Sequence, residues 1–289
     1  MDFALWKAAK PDEPHWSSPW GEGRPGWHIE CSAMAKGYLG PTIDIHCGGQ
    51  DLIFPHHENE IAQSECANGV PFARYWMHNG YINVDHRKMS KSLNNFFTVR
   101  EVAAEYGYEP IRYLMLQAHY RSPINYSREI MEQCKASLTR LYTCRDTLTR
   151  AIPAAAETPM PEEAAKALAA HREKFIAAME DDLNTADAIA SVFELVRDAN
   201  AAAVNGAGKE ELTASLALLT ELCGVLGLLY QEPEEEEIPA EVLKLAEERA
   251  AARKEKDFAR ADQLRDEIAA LGYLIEETRQ GTRLKKADA

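Results

Sequence analysis

Two lysines and two serines fall within five consecutive residues, in the sequence Lys-Met-Ser-Lys-Ser from Lys88 to Ser92. Ammonium and hydroxyl groups can hold phosphate oxygens and neutralise their charge, which is electrostatic stabilisation rather than covalent catalysis. The segment follows a short β-rich run, Tyr81 to Val84, in the manner of a ligand-binding loop. The pattern predicts a site for a polyphosphate, with an exposed basic turn as the alternative.

A set of sulfur, nitrogen and oxygen donors precedes this loop in the sequence. His56 and Glu60 are four residues apart and share one face if they lie on a helix. Cys31 can approach them from another segment, and the mixed donor set favours zinc. His57 and Glu58 are alternative ligands, and the alternative interpretation is a buried cysteine beside a surface His–Glu pair.

A glycine pair, Gly48 and Gly49, follows the alternating β-rich run from Thr42 to His46. Glycines at such a point permit close approach of the backbone to a ligand. Asp51, two residues later, can pair with an amino group, although acidic loop residues are usually only solvated. Trp27 is either a wall of the same pocket or a core ring.

The composition sets bounds on these interpretations. The chain has 289 residues, 46% apolar and 27% charged, which is ordinary for a globular protein outside the membrane. No apolar run approaches the roughly 20 residues that span a bilayer, so we expect no membrane partner. The six cysteines have no paired spacing, which suits a reducing compartment and predicts a cytoplasmic location. The net charge of −14 argues against non-specific nucleic-acid binding but allows a structured RNA partner.

The elements that must position these residues belong to the first part of the chain, from residue 1 to 125. All five tryptophans lie within its first 76 residues, among frequent glycines and prolines. Such a region is typical of α/β structure with long functional loops. Pro55 begins a helical pattern that extends through Glu65, with proline where the first helical turn tolerates it.

Over residues 126–231 the composition changes to alanine, leucine and charged residues with helical spacing. This pattern predicts a bundle of four antiparallel helices. The predicted helices are Ser127 to Ile152, Pro161 to Glu180, Thr185 to Asn205 and Lys209 to Tyr230. An acidic linker, 232–239, precedes a last module over 240–289. That module has helical sequence from Ala240 to Leu271 and two short strands, Tyr273 to Glu276 and Thr282 to Lys285.

Several segments resemble one family, the cysteinyl-tRNA synthetases. The resemblance rests on Gly26–Met34 (GWHIECSAM), Asp44–Glu60 (DIHCGGQDLIFPHHENE), His119–Pro123 (HYRSP) and the tail Lys256–Thr282. The Lys88–Ser92 segment matches the second signature of class I aminoacyl-tRNA synthetases. The similarity extends over essentially the whole chain.

The resemblance implies a fold and a set of roles. The fold is mixed: an α/β, partial Rossmann-like catalytic domain, then an α-helical bundle, then a small C-terminal α+β module. The helical bundle and the last module are the tRNA stem and anticodon contacts. The implied ligands of one zinc ion per chain are Cys31, His56 and Glu60. The implied amino-acid pocket comprises Trp27, His46, Asp51 and His57. The implied nucleotide-site residues are the catalytic Lys88 and Lys91, with Ser90, Lys91 and Ser92 contacting ATP.

This sequence departs from the family pattern at several points. The family has a fourth zinc ligand, a cysteine, just before a HIGH-type first nucleotide-binding signature, and neither occurs in this sequence. We therefore expect a chain that begins inside the catalytic domain and is inactive alone. Cys47 and Asn94 stand where the family has glycine, Glu109 stands where it has aspartate, and Leu284 stands where a tryptophan is common.

The principal hypothesis is a cysteine–tRNA ligase that acts with L-cysteine, ATP with Mg²⁺ and tRNA(Cys), as a monomer. One alternative is a tRNA-binding module without catalysis. Another is a ligase that joins cysteine to an amino-sugar thiol precursor, whose family shares the zinc and lysine-loop motifs. The tail from Arg249 to Thr282 argues against that last alternative, because the amino-sugar ligases have no anticodon module.

Overall fold

The protein is described by a computed structural model that covers residues 3–89, 95–231, 239–254, 257–278 and 281–286. The chain divides into two compact units, Met1–Gln231 and Glu232–Ala289. Most of the predicted linker, residues 232–238, lies outside the described residues. No helix in the described ranges is both long and apolar enough to cross a bilayer.

The first unit opens with four strands and two helices. They are β1 (Trp6–Ala8), β2 (Gly23–Pro25), α1 (Trp27–Leu39), β3 (Ile43–Gly49), α2 (Glu58–Asn68) and β4 (Ala73–Asn79). Strands β1 and β2 form an antiparallel hairpin, and β3 and β4 pair in parallel. A short 3₁₀ turn (Gln50–Leu52), a π-helical turn (Ile53–His57) and α2 form the crossover between β3 and β4. Parallel strands require such a connection, which here carries two of the three predicted metal ligands, His56 and Glu60.

The parallel register fixes which side chains meet. His46 on β3 lies opposite Trp76 on β4, and Gly48 lies opposite His78. Since side chains alternate between the two faces of a strand, these four positions share one face. The face is thus built from imidazole and indole rings, with one glycine that leaves space.

A second small sheet precedes and follows two short helices. It consists of β5 (Ile82–Val84), β6 (Arg87–Lys88) and β7 (Ile124–Tyr126), with β5 in the centre, antiparallel to β6 and parallel to β7. Helices α3 (Val99–Tyr106) and α4 (Tyr108–Leu116) lie between β6 and β7 in the sequence. Helix α3 begins at Thr98, whose hydroxyl accepts from the Glu101 amide in a capping box.

The predicted four-helix bundle is present. Its helices are α5 (Arg128–Ala151), α6 (Glu162–Glu180), α7 (Thr185–Val204) and α8 (Lys209–Val225). Ser127 and Asn184 cap α5 and α7, as expected for residues whose side-chain oxygen accepts an orphan amide. The core of the bundle contains fully buried leucines and cysteines: Leu138, Leu141, Cys144, Leu148, Leu195, Leu219, Leu222 and Cys223. The mixed fold class predicted from the sequence is confirmed.

The end of the bundle is joined to α4 by one buried carboxylate. Glu109 is 1% exposed. One of its oxygens accepts from the Leu229 amide at 2.6 Å, and the other accepts from the Tyr142 hydroxyl at 2.7 Å. The Tyr142 oxygen in turn accepts from the Gln231 amide. Burial, followed by the Glu109 contact, raises the pKa of Tyr142 and keeps this phenol protonated.

A second polar link joins the α6–α7 loop to the region before β7. The Asp182 carboxylate accepts from the Tyr120 hydroxyl at 2.9 Å and pairs with Arg121 at 2.7 Å. The Arg121 carbonyl accepts from the Gln50 side chain, next to the crossover. The bundle is therefore connected through polar contacts to the turn that follows β3.

The second unit is a helical hairpin followed by a strand hairpin. Its elements are α9 (Ala240–Lys254), α10 (Phe258–Ala270), β8 (Tyr273–Thr278) and β9 (Gly281–Lys286). Ala261, Leu264 and Ile268 are buried on one face of α10, whereas Phe258 and Leu271, at the two ends of this helix, are exposed. Leu284 pairs with Ile275 across the two antiparallel strands.

Replacing Glu109 with alanine should lower the free energy of unfolding of the first unit by about 2–4 kcal/mol. The substitution leaves the Leu229 amide and the Tyr142 hydroxyl without their acceptor in a buried place. Denaturant unfolding would measure the loss. Glu132→Ala, at an exposed position of α5, is the matched control and should change stability by less than about 0.5 kcal/mol. Equal midpoints for the two variants would contradict a structural role for Glu109.

Candidate metal and nucleotide site

Three segments bring the predicted metal donors together. Cys31 lies on α1, His56 on the π-helical turn and Glu60 on α2. One donor atom of each lies within 4.8 Å of the others. The donors of a tetrahedral zinc ion are roughly 3.3–3.8 Å apart, given metal–ligand bonds of about 2.0–2.3 Å. The separation is thus close to that of a coordination shell.

The carboxylate of Glu60 is the centre of this cluster. It is 0% exposed. His46 Nε2 donates to Oε2 at 2.6 Å, and His56 Nε2 lies 2.9 Å from Oε1. Within the described part of the chain, Oε1 has no partner with hydrogen-bond geometry. A buried carboxylate oxygen without such a partner, beside a thiol and an imidazole, fits a zinc ion.

Aromatic rings hold His56 in place. Trp27 stacks on the His56 ring with centroids 4.8 Å apart and planes at 19°. His28 Nδ1 lies 2.8 Å from His56 Nδ1, which leaves Nε2 directed towards Glu60. Trp27 is 56% exposed, so it is a surface ring stacked on His56 rather than a core ring.

A second donor group shares Glu60 with the first. His46, His57 and Glu60 also each present one donor atom within 4.8 Å of the others. The His46 ring stacks on Trp76, with centroids 4.5 Å apart. His57 Nδ1 lies 2.8 Å from His78 Nε2. Both imidazoles of this group are therefore held by a neighbouring ring.

Burial is the largest single influence on the pKa values of His57, Cys31 and Glu60. It lowers the pKa of His57 to about 4, with a further contribution from His46, so this ring is neutral near pH 7. Burial and the Glu60 charge raise the pKa of Cys31. Burial acts to raise the pKa of Glu60, but the His46 hydrogen bond and the positive potential of His56 outweigh it, and the pKa is lowered. A metal ion must displace the thiol proton, whereas the carboxylate is already ionised.

The other predicted residues lie around the cluster or outside the description. Asp51 lies exposed in the 3₁₀ turn directly after β3. Glu58 is exposed on α2, whereas His57 is buried with the second donor group. Lys88 belongs to β6. The predicted phosphate-contacting residues Ser90, Lys91 and Ser92, and the departure Asn94, lie outside the described residues.

An apolar cavity of about 50 Å³ lies beside Met89. Met89, the last described residue before the gap, lines it together with residues of β5, α3, α4 and β7. A methionine is flexible enough to fill such an irregular space.

Three site residues were not selected from the sequence alone: His28, Trp76 and His78. The signal for Trp76 and His78 was present in the strand pattern, whereas His28 lies on α1. Trp76 and His78 are two apart on β4, so they share a face, and the parallel register brings them beside His46 and Gly48. The pairing of β3 with β4 was the missing information.

Comparisons with known proteins agree with the fold. A family model for "tRNA synthetases class I (C) catalytic domain" matches residues 1–136, and one for a "DALR domain" matches 174–231. The fold is shared by LeuRS of Agrobacterium radiobacter K84, which was crystallised in a ternary complex with tRNA and LeuAMS. Its TM-score is 0.56 at 19% identity, over 76% of this chain and 31% of that one. The fold is thus that of a class I aminoacyl-tRNA synthetase chain.

The matching relatives indicate which kind of class I aminoacyl-tRNA synthetase the chain resembles. A model for "Cysteinyl-tRNA ligase anticodon binding domain" matches residues 235–283. The cysteine–tRNA ligase of Caldicellulosiruptor saccharolyticus is 57% identical over 99% of this chain. Those of Lachnospira eligens and Symbiobacterium thermophilum are 50% identical over the same share. Over almost its whole length the chain is similar to cysteine–tRNA ligases, and it spans 61–62% of the length of these relatives.

Replacing Gly48 with alanine should disturb the cluster. A Cβ at this position would lie 2.6 Å from His57 Cε1 and 2.8 Å from its Nε2, so the buried ring must move. We expect a loss of about 1–3 kcal/mol in unfolding free energy. Gly37→Ala, on α1 with no heavy atom within 4 Å of the added carbon, is the control. Its stability should be unchanged or raised by up to about 1 kcal/mol. Denaturant unfolding of the metal-free variants decides, and a neutral Gly48→Ala would show that the ring has room to move.

Proposed function

We propose that this chain provides the cysteine-selecting part of a cysteine–tRNA ligase. The observation that carries the proposal is the convergence of a thiol, an imidazole and a fully buried carboxylate from three separate segments beside β3. Cys31, His56 and Glu60 are the proposed ligands of one zinc ion. When bound, zinc supplies a Lewis-acid partner for the thiolate of the substrate cysteine.

The donor set gives a physical basis for choosing cysteine over serine. A hydroxyl is far harder to deprotonate than a thiol and is a weaker ligand for zinc. A site that is built to bind one polar group of the substrate disfavours an analogue without that group by roughly 10⁴-fold or more. We assign Trp27, which stacks on His56, to a wall of the amino-acid pocket. We assign Asp51, which is exposed, to attracting the amino group of the substrate.

Activation of the amino acid requires ATP with Mg²⁺. The substrate carboxylate attacks the α-phosphorus and pyrophosphate leaves. A ribose hydroxyl at the tRNA 3′ end then loses its proton and attacks the carbonyl carbon of the aminoacyl-adenylate, and AMP leaves. Positioning and charge neutralisation suffice for both steps. We assign Lys88 and Lys91 to neutralising the phosphates, with Ser90 and Ser92 as contacts to ATP.

The proposed macromolecular partner is tRNA(Cys). The bundle of α5 to α8 and the module over residues 240–289 are its proposed contacts, and the match of residues 235–283 to an anticodon-binding family supports the latter. A tRNA-binding protein without catalysis is the second candidate. It is favoured by the same match to an anticodon-binding family, because tRNA binding through that module does not require catalysis. A cytoplasmic monomer remains our expectation.

Zinc should bind to the purified chain through Cys31. Because changes in groups that merely support metal ligands already cost about 10–100-fold in affinity, Cys31→Ala should weaken zinc binding at least as much. Competition with a chromogenic chelator would measure it. Cys66→Ala, an exposed cysteine on α2, is the matched control and should bind as the wild type does. Equal affinity of Cys31→Ala and the wild type would remove the metal assignment.

The proposed selectivity is tested with cobalt(II) in place of zinc. L-cysteine should add a sulfur-to-cobalt charge-transfer band to that of Cys31, and L-serine should leave the spectrum unchanged. Asp51→Asn should weaken the cysteine response without altering the band of the protein alone. Equal responses to the two amino acids would contradict a cysteine-selecting site.

The 289-residue polypeptide alone should not support cysteine-dependent pyrophosphate exchange. Its sequence supplies the Lys88–Ser92 signature but no HIGH-type signature for the same nucleotide. Exchange between ATP and labelled pyrophosphate, with and without L-cysteine, measures this directly. Robust exchange would show that the present residues suffice for activation and would exclude the binding-module alternative.

A further inference from the structure

We propose that Glu60 bridges two metal sites, and that the second, formed with His46 and His57, takes a divalent transition cation. The proposal extends the zinc site above, but two of the three donor residues in the second site are different. The first group offers sulfur, nitrogen and oxygen, whereas the second offers two imidazoles and a carboxylate oxygen. Such a nitrogen-rich set suits Zn²⁺, Co²⁺ or Ni²⁺ and excludes the softest, thiolate-seeking ions.

The two oxygens of Glu60 face different donors. Oε1 lies 2.9 Å from His56 Nε2, on the side of Cys31, and Oε2 lies 2.6 Å from His46 Nε2. A carboxylate with its two oxygens directed to separate ligand sets is the arrangement that bridges metal ions about 3.5–4 Å apart. In the second site the ion would replace the proton that His46 now donates to Oε2.

The second ligand set is held in shape before any ion binds. His46 stacks on Trp76 at 14° between planes, and His57 Nδ1 contacts His78 Nε2 at 2.8 Å. His57 is 3% exposed and Glu60 is 0% exposed. Metal-binding imidazoles are typically oriented by such contacts at the other ring atoms. Little side-chain freedom is therefore left to lose on binding.

The position of the second site gives it a consequence for function. His46 and His57 are also the imidazoles proposed for the amino-acid pocket. A cation held between them would occupy the space that the substrate requires. Excess metal would thus act as an inhibitor of amino-acid binding, through a site distinct from the one that selects the thiol.

Equilibrium dialysis against Co²⁺, read with absorption spectra, tests the proposal on the full 289-residue chain. The wild type should bind two ions. Cys31→Ser should bind one and lose the sulfur-to-cobalt band. His46→Phe, which keeps a flat ring against Trp76, should bind one and keep that band. Glu60→Gln, of the same shape but without charge, should bind neither ion with wild-type affinity.

The control is His15→Ala, an exposed histidine whose ring contacts the Glu13 carbonyl, and it should still bind two ions. Circular dichroism of each metal-free variant establishes that it is folded. A wild type that binds a single ion, with none bound by folded Cys31→Ser, would overturn the second site and leave the thiolate site intact. A wild type that binds one ion without a sulfur band would instead refute the first site and support the second.

Discussion

The site depends on one fully buried carboxylate. Isolating a charge from water is costly unless hydrogen bonds or opposite charges compensate. Glu60 obtains compensation from His46 on one oxygen and from the nearby ring of His56 on the other. Those rings are in turn held by Trp76 and Trp27. The aromatic face of the β3–β4 pair and the exposed tryptophan of α1 therefore hold the two imidazoles that fix the position of the Glu60 carboxylate.

Much of the architecture could be predicted from local patterns. The four helices of the bundle follow from spacing of apolar residues and from caps such as Ser127 and Asn184. The i, i+4 spacing brought His56 and Glu60 together without knowledge of the fold. The helix predicted from Lys209 to Tyr230 ends earlier, at Val225, because the following residues turn back so that the Leu229 amide reaches the buried Glu109. That contact spans 120 residues of sequence, and no local pattern contains it.

The candidate site could be predicted only in part, for the same reason. Cys31 is brought to the cluster by the packing of α1 on α2, and Trp76 and His78 by the parallel register of β4 on β3. These are pairings between distant segments, so the sequence indicated which donors were chemically suitable but not which imidazoles would surround them. The resemblance to a family named Cys31, His56 and Glu60, whereas the geometry adds His28, Trp76 and His78.

Both crossover ligands, His56 and Glu60, lie on the connection that joins β3 to β4. An ion bound there ties the connection to α1 through Cys31 and so closes a loop of nearly thirty residues, much as a covalent cross-link would. The bundle of α5 to α8 has its own apolar core and needs no such tie. Loss of the metal would therefore loosen the β3–β4 pair and its crossover first. The α5 to α8 bundle would stay packed under the same conditions.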